Sequence, residues 1–374
     1  MLHIHLVNLQ PIVGGGEIYT RALTRAFAGA GASVTLYAHP DNRLWDSVAG
    51  ERVAVCRIRD EQQLLAVLPR ERSHVVTQSP ISSNGARQMV ARHAVAAFAH
   101  MPMFRRNADE FHAYRLVVTV SRYCIDLLRR AGITHVYPEP LYGTADLERA
   151  AAPVVRCSPY VWDRRKFRDV LLGLAEPVFE SFAAKNTFQK APGLTLGIVS
   201  LISPIKQLPE LFSILAPLIA RQASANLEVF GNGGYAQVRD LRGALAPLGD
   251  RVRFWGYQEN VGAIYPQLDY LMTGLPEKEA LGLNAIEAQQ CGTPVLAPNA
   301  PPFTETVLDG ASGFLYRDPR EDRGAQFAEL LDSIVAGRPR PDPRVAAREH
   351  LATFSHSALV ARAHALMRAL SDLK

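Results

Sequence analysis

A chain of 374 residues, 21% charged and 48% apolar, has the length of two ordinary domains and the composition of a folded globular protein. No apolar run approaches the ~20 residues of a membrane-spanning helix. The four cysteines, Cys56, Cys124, Cys157 and Cys291, form no C-x-x-C pair, which disfavours a disulfide framework or a zinc site and fits reduced thiols in a cytoplasmic protein. Residues 1–180 carry 22 Lys+Arg against 17 Asp+Glu, and residues 181–374 carry 19 of each, so the net charge of +5 belongs to the first half. That asymmetry has two readings of equal standing: attraction to an anionic membrane or substrate, or a solvated arginine-rich face.

The opening LHIHLV (2–7) alternates and reads as a strand rather than a signal peptide. A glycine loop, Val13-Gly14-Gly15-Gly16-Glu17, leads into a helical pattern from Ile18 to Gly29, and SVTLYA (33–38) is the next strand. This strand, glycine loop, helix and strand open a doubly wound α/β domain. The dinucleotide fingerprint is absent, because Tyr19 stands where its third glycine belongs. Glu17 reads as a helix N-terminal charge. Further strands are expected at 53–58, 74–78 and 95–99. The last runs into His100, at the ligand edge of a parallel sheet. MPMFRRNADEFH (101–112) places apolar and arginine side chains together, either against a lipid headgroup or as an ordinary loop. LVVTV (116–120) is a strand, and Ser121 caps a helix over 123–131.

WDRRKFRDVLLG (162–173) is basic and helical in pattern, and AAKNTFQKAPG (183–193) reads as an interdomain linker. A second α/β unit begins with the buried-strand run at 194–202. Lys206 and a helix through Leu218 follow, then strands at 227–230 and 252–256. A helix over 260–267 and a strand over 270–273 are expected next. Tyr257 sits at a strand exit and reads as a core aromatic.

The run from Leu271 to Ala297, LMTGLPEKEALGLNAIEAQQCGTPVLA, reads as loop, helix, turn and strand. Glu279 and Glu287 lie eight residues apart, with Gly282 between them. A helix starting near Leu283 or Asn284 and ending at Gly292 puts Glu279 in the loop ahead of it and Glu287 one turn in. The free N–H groups of the helix start suit a phosphate, and an ionised carboxylate on either side can accept from hydroxyls. Phosphate flanked by two polyols describes a sugar nucleotide. A helix over 322–335 and a final amphipathic helix close the chain.

EALGLNAIEAQQCGTPVLA resembles the E-x7-E signature of retaining GT-B glycosyltransferases of glycosyltransferase family 4 (glycosyl transferases group 1), whose usual form is close to E-G-F-G-L-P-x-x-E-A-x-x-x-G-x-P-V. Glu279, Gly282, Leu283, Glu287, Ala288, Gly292, Pro294 and Val295 match, and Ala280 and Asn284 depart. The resemblance implies an α/β GT-B architecture, two Rossmann-like doubly wound parallel-sheet domains with an interdomain cleft. It places an acceptor-side domain at 1–185, a donor-side domain at 186–352 and a terminal helix, 353–374, returning to the first domain. It implies a retaining, hexosyltransferase-like enzyme. The sugar would move from a nucleotide-sugar donor to a saccharide or lipid-linked saccharide acceptor in cell-surface polysaccharide or glycoconjugate synthesis.

By the same resemblance, Glu279, His100 and Lys206 are the expected catalytic set. Glu279 and His100 face the transferred sugar, and Lys206 holds the diphosphate. Gly15, Gly16, Lys206, Gly282, Leu283, Glu287 and Tyr257 are the expected donor-binding residues, with Glu287 on the ribose. No cofactor, metal or nucleic acid is expected; the sequence has no D-x-D motif, which disfavours a metal-dependent GT-A enzyme. Localisation is expected to be cytoplasmic, with peripheral contact at the inner membrane face through the basic first domain. The family pattern G-R-L-x-P-E-K-G falls on Ser200-Leu201-Ile202-Ser203-Pro204-Ile205-Lys206-Gln207, where Lys206 matches the lysine, Leu201 occupies the arginine position and Ser200 the preceding glycine. Leu201 therefore replaces an arginine, a charge-assisted contact of roughly 1.5–3 kcal/mol. This departure keeps open a protein of the same fold that binds nucleotide sugar or carbohydrate without transfer. A Rossmann oxidoreductase is the third reading, disfavoured by the missing glycine.

Overall fold

The computed structural model describes residues 2–103, 107–145, 147, 153–162, 167, 169, 171–174 and 187–373. The chain folds as two units, residues 1–146 with 352–374, and residues 147–351.

The first unit is a parallel six-stranded sheet. Its strands are β1 (His3–Asn8), β2 (Ser33–Ala38), β3 (Val53–Arg57), β4 (His74–Thr77), β5 (Ala94–Ala99) and β6 (Leu116–Thr119), in the order β3-β2-β1-β4-β5-β6. The strands are near-continuous apolar runs, as a parallel sheet covered on both faces requires; every residue of β5 is buried. The longer helices are α1 (Gly15–Gly29), α2 (Glu61–Val67), α3 (Ser83–Arg92) and α4 (Arg122–Arg130). Ser121 caps α4 by accepting from Cys124 N at 3.2 Å. Glu17 closes the start of α1 by accepting from Gly14 N at 2.9 Å, and it also accepts from Asn8 Nδ2 at 3.3 Å. It is a structural cap, as its helix-end position predicts.

The second unit repeats the plan. Its strands are β7 (Leu194–Val199), β8 (Ala225–Phe230), β9 (Val252–Gly256), β10 (Tyr270–Met272), β11 (Val295–Pro298) and β12 (Gly313–Tyr316), in the order β12-β11-β10-β7-β8-β9. Its longer helices are α5 (Leu208–Ala220), α6 (Tyr235–Leu245), α7 (Leu283–Gln290) and α8 (Ala325–Val335). Leu211, Phe212 and Leu215 of α5 pack with Leu196 and Ile198 of β7 on one face of the sheet, and Ala285 and Ala288 of α7 pack with Leu271 and Val295 in a second cluster. The last helix, α9 (His356–Ser371), belongs to the first unit. Val360 packs against α1 at Gly29, Arg362 lies 4.9 Å above the Tyr142 ring, and Arg72 donates to Leu373 O at 2.8 Å.

Three expectations about the elements change. The first division falls at 146/147 rather than 185/186, because Val154 and Phe188 pack into the second unit and Phe188 meets Trp255 edge-on at 5.2 Å. The helix expected over 260–267 is two short 3-10 turns, Val261–Ala263 and Tyr265–Gln267, since Pro266 cannot donate to a continuing ladder. The helix expected over 322–335 is broken at Arg323 and Gly324, both at positive φ, into a turn at Pro319–Asp322 and α8. The 101–112, 162–173 and 183–193 segments lie partly outside the described residues. Among the described residues, no helix is long and apolar enough to cross a membrane.

His5, on β1, lies with its Nδ1 3.1 Å from the Tyr37 hydroxyl and stacks on His3 at 4.5 Å. Burial, together with His3, His93 and His74 nearby, lowers its pKa to about 4. An unfolded histidine titrates near ~6.5, so below that pH the unfolded chain takes up a proton that the folded chain resists. Stability is therefore expected to be full above pH ~6.5 and to fall as the pH drops toward 4. Thermal unfolding should show a lower midpoint at pH 5 than at pH 7, by roughly 2–4 °C for each kcal/mol lost, and His5→Gln should reduce the difference.

Candidate active site

The strand order reverses between β7 and β10 in the second sheet, and the crevice beyond such a reversal is where doubly wound sheets bind ligands. Lys206 lies in the loop after β7, and Glu279 in the loop after β10. The two loops are tied together: Leu275 N donates to Lys206 O at 3.1 Å, and a Cβ on Gly274 would come within 2.2 Å of that oxygen. Close backbone approach thus requires glycine at 274.

The Lys206 ammonium forms a hydrogen-bonded ion pair with Glu279 Oε2. Glu279 Oε1 accepts from Ala280 N and Gly282 N, each at 3.2 Å. The carboxylate therefore covers amides at the N-terminus of α7, where the helix dipole favours an anion. Burial pushes the Glu279 carboxyl up, but the Lys206 charge, its hydrogen bond and the two amides outweigh it and hold the group below its ordinary range. Gly282 precedes α7 at φ 77°, and a Cβ there would meet Phe303 Cε1 at 2.9 Å. Leu283 is the first residue of α7.

Glu287, one turn into α7, accepts from the Tyr265 hydroxyl at 2.8 Å. Burial raises its pKa; the Tyr265 bond and the Lys206 charge pull the other way, leaving it at about 7. The backbone of Tyr265 is held in turn, its carbonyl accepting from Thr293 Oγ1 at 2.5 Å. Asn284, a departure from the family pattern, donates from Nδ2 to Val199 O at 3.1 Å and fixes α7 to the end of β7. Leu201 is 51% exposed at the expected arginine position. Tyr257 follows β9 and is 53% exposed, so the core-aromatic reading does not hold. Among the described residues, no group of three or more His, Cys, Asp or Glu is placed to hold a metal ion.

The remaining expected residues lie in the first unit. Gly15 and Gly16 open α1, and a Cβ at either would meet nothing within 4 Å. Among the described residues, no packing demands glycine there. His100, just past β5, donates from Nε2 to Gln78 Oε1 at 2.8 Å and stacks on Phe98 at 5.2 Å. Burial lowers its pKa to about 4, so it is neutral near pH 7.

Residues 184–349 match the family model of glycosyl transferases group 1. The matched segment lies within the second unit. The chain is 38% identical over 134 residues to a D-inositol 3-phosphate glycosyltransferase of Mycolicibacterium vanbaalenii, an alignment covering 34% of this chain and 28% of the relative. It is 34% identical over 185 residues to the Stackebrandtia nassauensis protein of that name, covering 44% and 40%. The chain thus spans less than half the length of these curated relatives. Anabaena HepE, solved in complex with UDP and glucose, superposes with a TM-score of 0.70 at 16% identity, covering both chains fully. Sucrose-phosphate synthase from Thermosynechococcus elongatus does so with a TM-score of 0.70 at 17% identity. At these identities the likeness establishes the fold, two Rossmann-like α/β domains of the GT-B class.

Within the second unit, sequence reasoning missed Tyr265, whose only signal was a tyrosine shortly before a strand. It also missed Gln207, which stands at the family's glycine in K-G and has φ 51°. Gly282→Ala is expected to cost about 1–2 kcal/mol for the left-handed backbone alone, with more for the contact with Phe303. Denaturant unfolding monitored by circular dichroism would measure it.

Proposed function

We propose that the protein is a retaining glycosyltransferase that moves a sugar from a nucleotide-sugar donor to a saccharide or lipid-linked saccharide acceptor. The observation carrying this reading is the Lys206–Glu279 pair over the N-terminal amides of a helix whose next turn presents Glu287. The donor diphosphate takes the Lys206 ammonium and the amides at the start of α7, the groups that Glu279 contacts. The same groups stabilise the leaving diphosphate, so this reading requires no metal and no cofactor. Glu279, displaced from Lys206, accepts from the hydroxyls of the transferred sugar, and Glu287 accepts from the ribose. Leu283, at the helix start, lines the diphosphate, Tyr257 offers its exposed ring to the base, and Gly15 and Gly16 leave room for the donor. His100, neutral and fixed by Gln78, is assigned to the sugar. Retention of configuration rests on the E-x7-E resemblance, as does a role in cell-surface polysaccharide or glycoconjugate synthesis at the cytoplasmic side of a membrane. The UDP held by the HepE structure makes uridine nucleotides the first donors to try.

Leu201 favours a second reading, nucleotide-sugar binding without turnover. Arg320 does not replace the missing arginine, since Glu277 and Asp318 engage its guanidinium. Turnover separates the readings. Transfer from a panel of nucleotide sugars is expected to be lost by at least about 100-fold in Glu279→Ala, while nucleoside diphosphate binding is retained or tightened because Lys206 is released. Wild-type binding with no turnover of any donor or water would favour the second reading. Leu201→Arg is then expected to tighten diphosphate binding by roughly tenfold or more, the value of one added charge-assisted contact.

Glu287 also predicts a pH dependence. Ionised, it can accept from two ribose hydroxyls; protonated, one of its oxygens becomes a donor and it accepts fewer and weaker bonds. Since it titrates at about 7, nucleotide affinity is expected to rise with pH through that value and to fall by up to ~tenfold per unit below it. Tyr265→Phe removes a bond that favours ionisation, so the midpoint should move upward. Calorimetry at pH 6, 7 and 8 on both proteins would show it.

A further inference from the structure

Gln207 is held at φ 51° and ψ 31°, a left-handed conformation that side chains with a Cβ disfavour. It joins Lys206 to α5. Its side-chain amide donates to Glu277 Oε1 at 2.9 Å and to Glu210 Oε2 at 3.2 Å. Glu277 lies in the loop that carries Glu279. Both its oxygens accept from Arg320, at 2.7 Å from Nη1 and 2.8 Å from Nη2. Asp318 secures the other edge of the guanidinium, accepting from Nε at 3.0 Å and Nη2 at 2.5 Å. The Gln207–Glu277 bond thereby joins the loop after β7 to the loop after β10, and one arginine beyond β12 braces it.

We propose that Arg320 is a positioning residue for the donor diphosphate site: through Glu277 and Gln207 it fixes the backbone of Lys206 against that of Glu279. It touches no substrate itself. The planar fork suits this role, because it satisfies Glu277 at two points while Asp318 holds it in plane. Hydrogen bonding to Arg320 outweighs burial and brings the Glu277 pKa down to about 2, so the clamp stays charged across the working pH range. The clamp also accounts for a non-glycine residue at 207: the side chain that strains the backbone supplies the bond that holds it. The functional half of this inference rests on the proposed donor site; the structural half does not.

Hydrogen exchange on the ligand-free protein, paired with calorimetry of nucleoside diphosphates, tests it. Arg320→Met is expected to speed amide exchange in both 203–208 and 274–282, and to weaken binding at least tenfold. Arg320→Lys should do the same to a lesser degree, since an ammonium cannot reproduce the two-point contact. The Gln207→Gly variant needs no clamp to hold its backbone. In that background Arg320→Met should cost threefold or less, a coupling that general loss of stability would not produce. Unchanged exchange in 203–208, or an equal loss of affinity in the wild-type and Gln207→Gly backgrounds, would overturn the proposal. If wild-type protein binds no nucleotide, the donor-site reading fails, and the exchange data alone decide whether the clamp exists.

Discussion

A partly buried carboxylate beside an ammonium at a helix start is the constraint on which the site depends. Glu279 stays ionised because Lys206 and the amides of Ala280 and Gly282 offset the cost of its burial. Those are also the groups that an incoming phosphate needs. The switch in strand order between β7 and β10 brings the two loops side by side. Gly274 then lets their backbones touch, and Gly282 turns the chain into α7 where a side chain would strike Phe303.

The second glutamate of the motif meets the opposite environment. Among the described residues, Glu287 accepts from one donor, the Tyr265 hydroxyl, and burial leaves its pKa at about 7. Two carboxylates of one motif, one in the loop before the helix and one a turn into it, are thus tuned apart, one fixed as an anion and the other poised to change charge near neutrality. A ribose that offers hydroxyls to Glu287 replaces the missing donors and settles it as an anion. In the proposed mechanism, nucleotide binding and the ionisation of Glu287 are therefore one event.

Much of the fold was legible because parallel strands buried on both faces leave long apolar runs, and because the glycine loop and Ser121 mark helix starts. The E-x7-E spacing was legible for the same kind of reason: eight positions in register encode a loop, a cap and one helical turn. What escaped were interactions between segments distant in sequence. Nothing in the run around Tyr265 announces that its hydroxyl reaches Glu287. Nothing near Arg320 announces that it braces Gln207 through Glu277, 43 residues before it. The strands and helices themselves also overrode local pattern at two places, where Pro266 and the positive φ values of Arg323 and Gly324 break helices that periodicity alone would continue.

The most direct measurement is calorimetric titration of UDP, GDP and ADP into the metal-free protein, alongside Lys206→Met. The account predicts that one nucleoside diphosphate binds well above the others and that Lys206→Met weakens it by at least about tenfold, the value of one charge-assisted contact. Absence of binding by all three at millimolar concentration, or binding indifferent to Lys206, would contradict it.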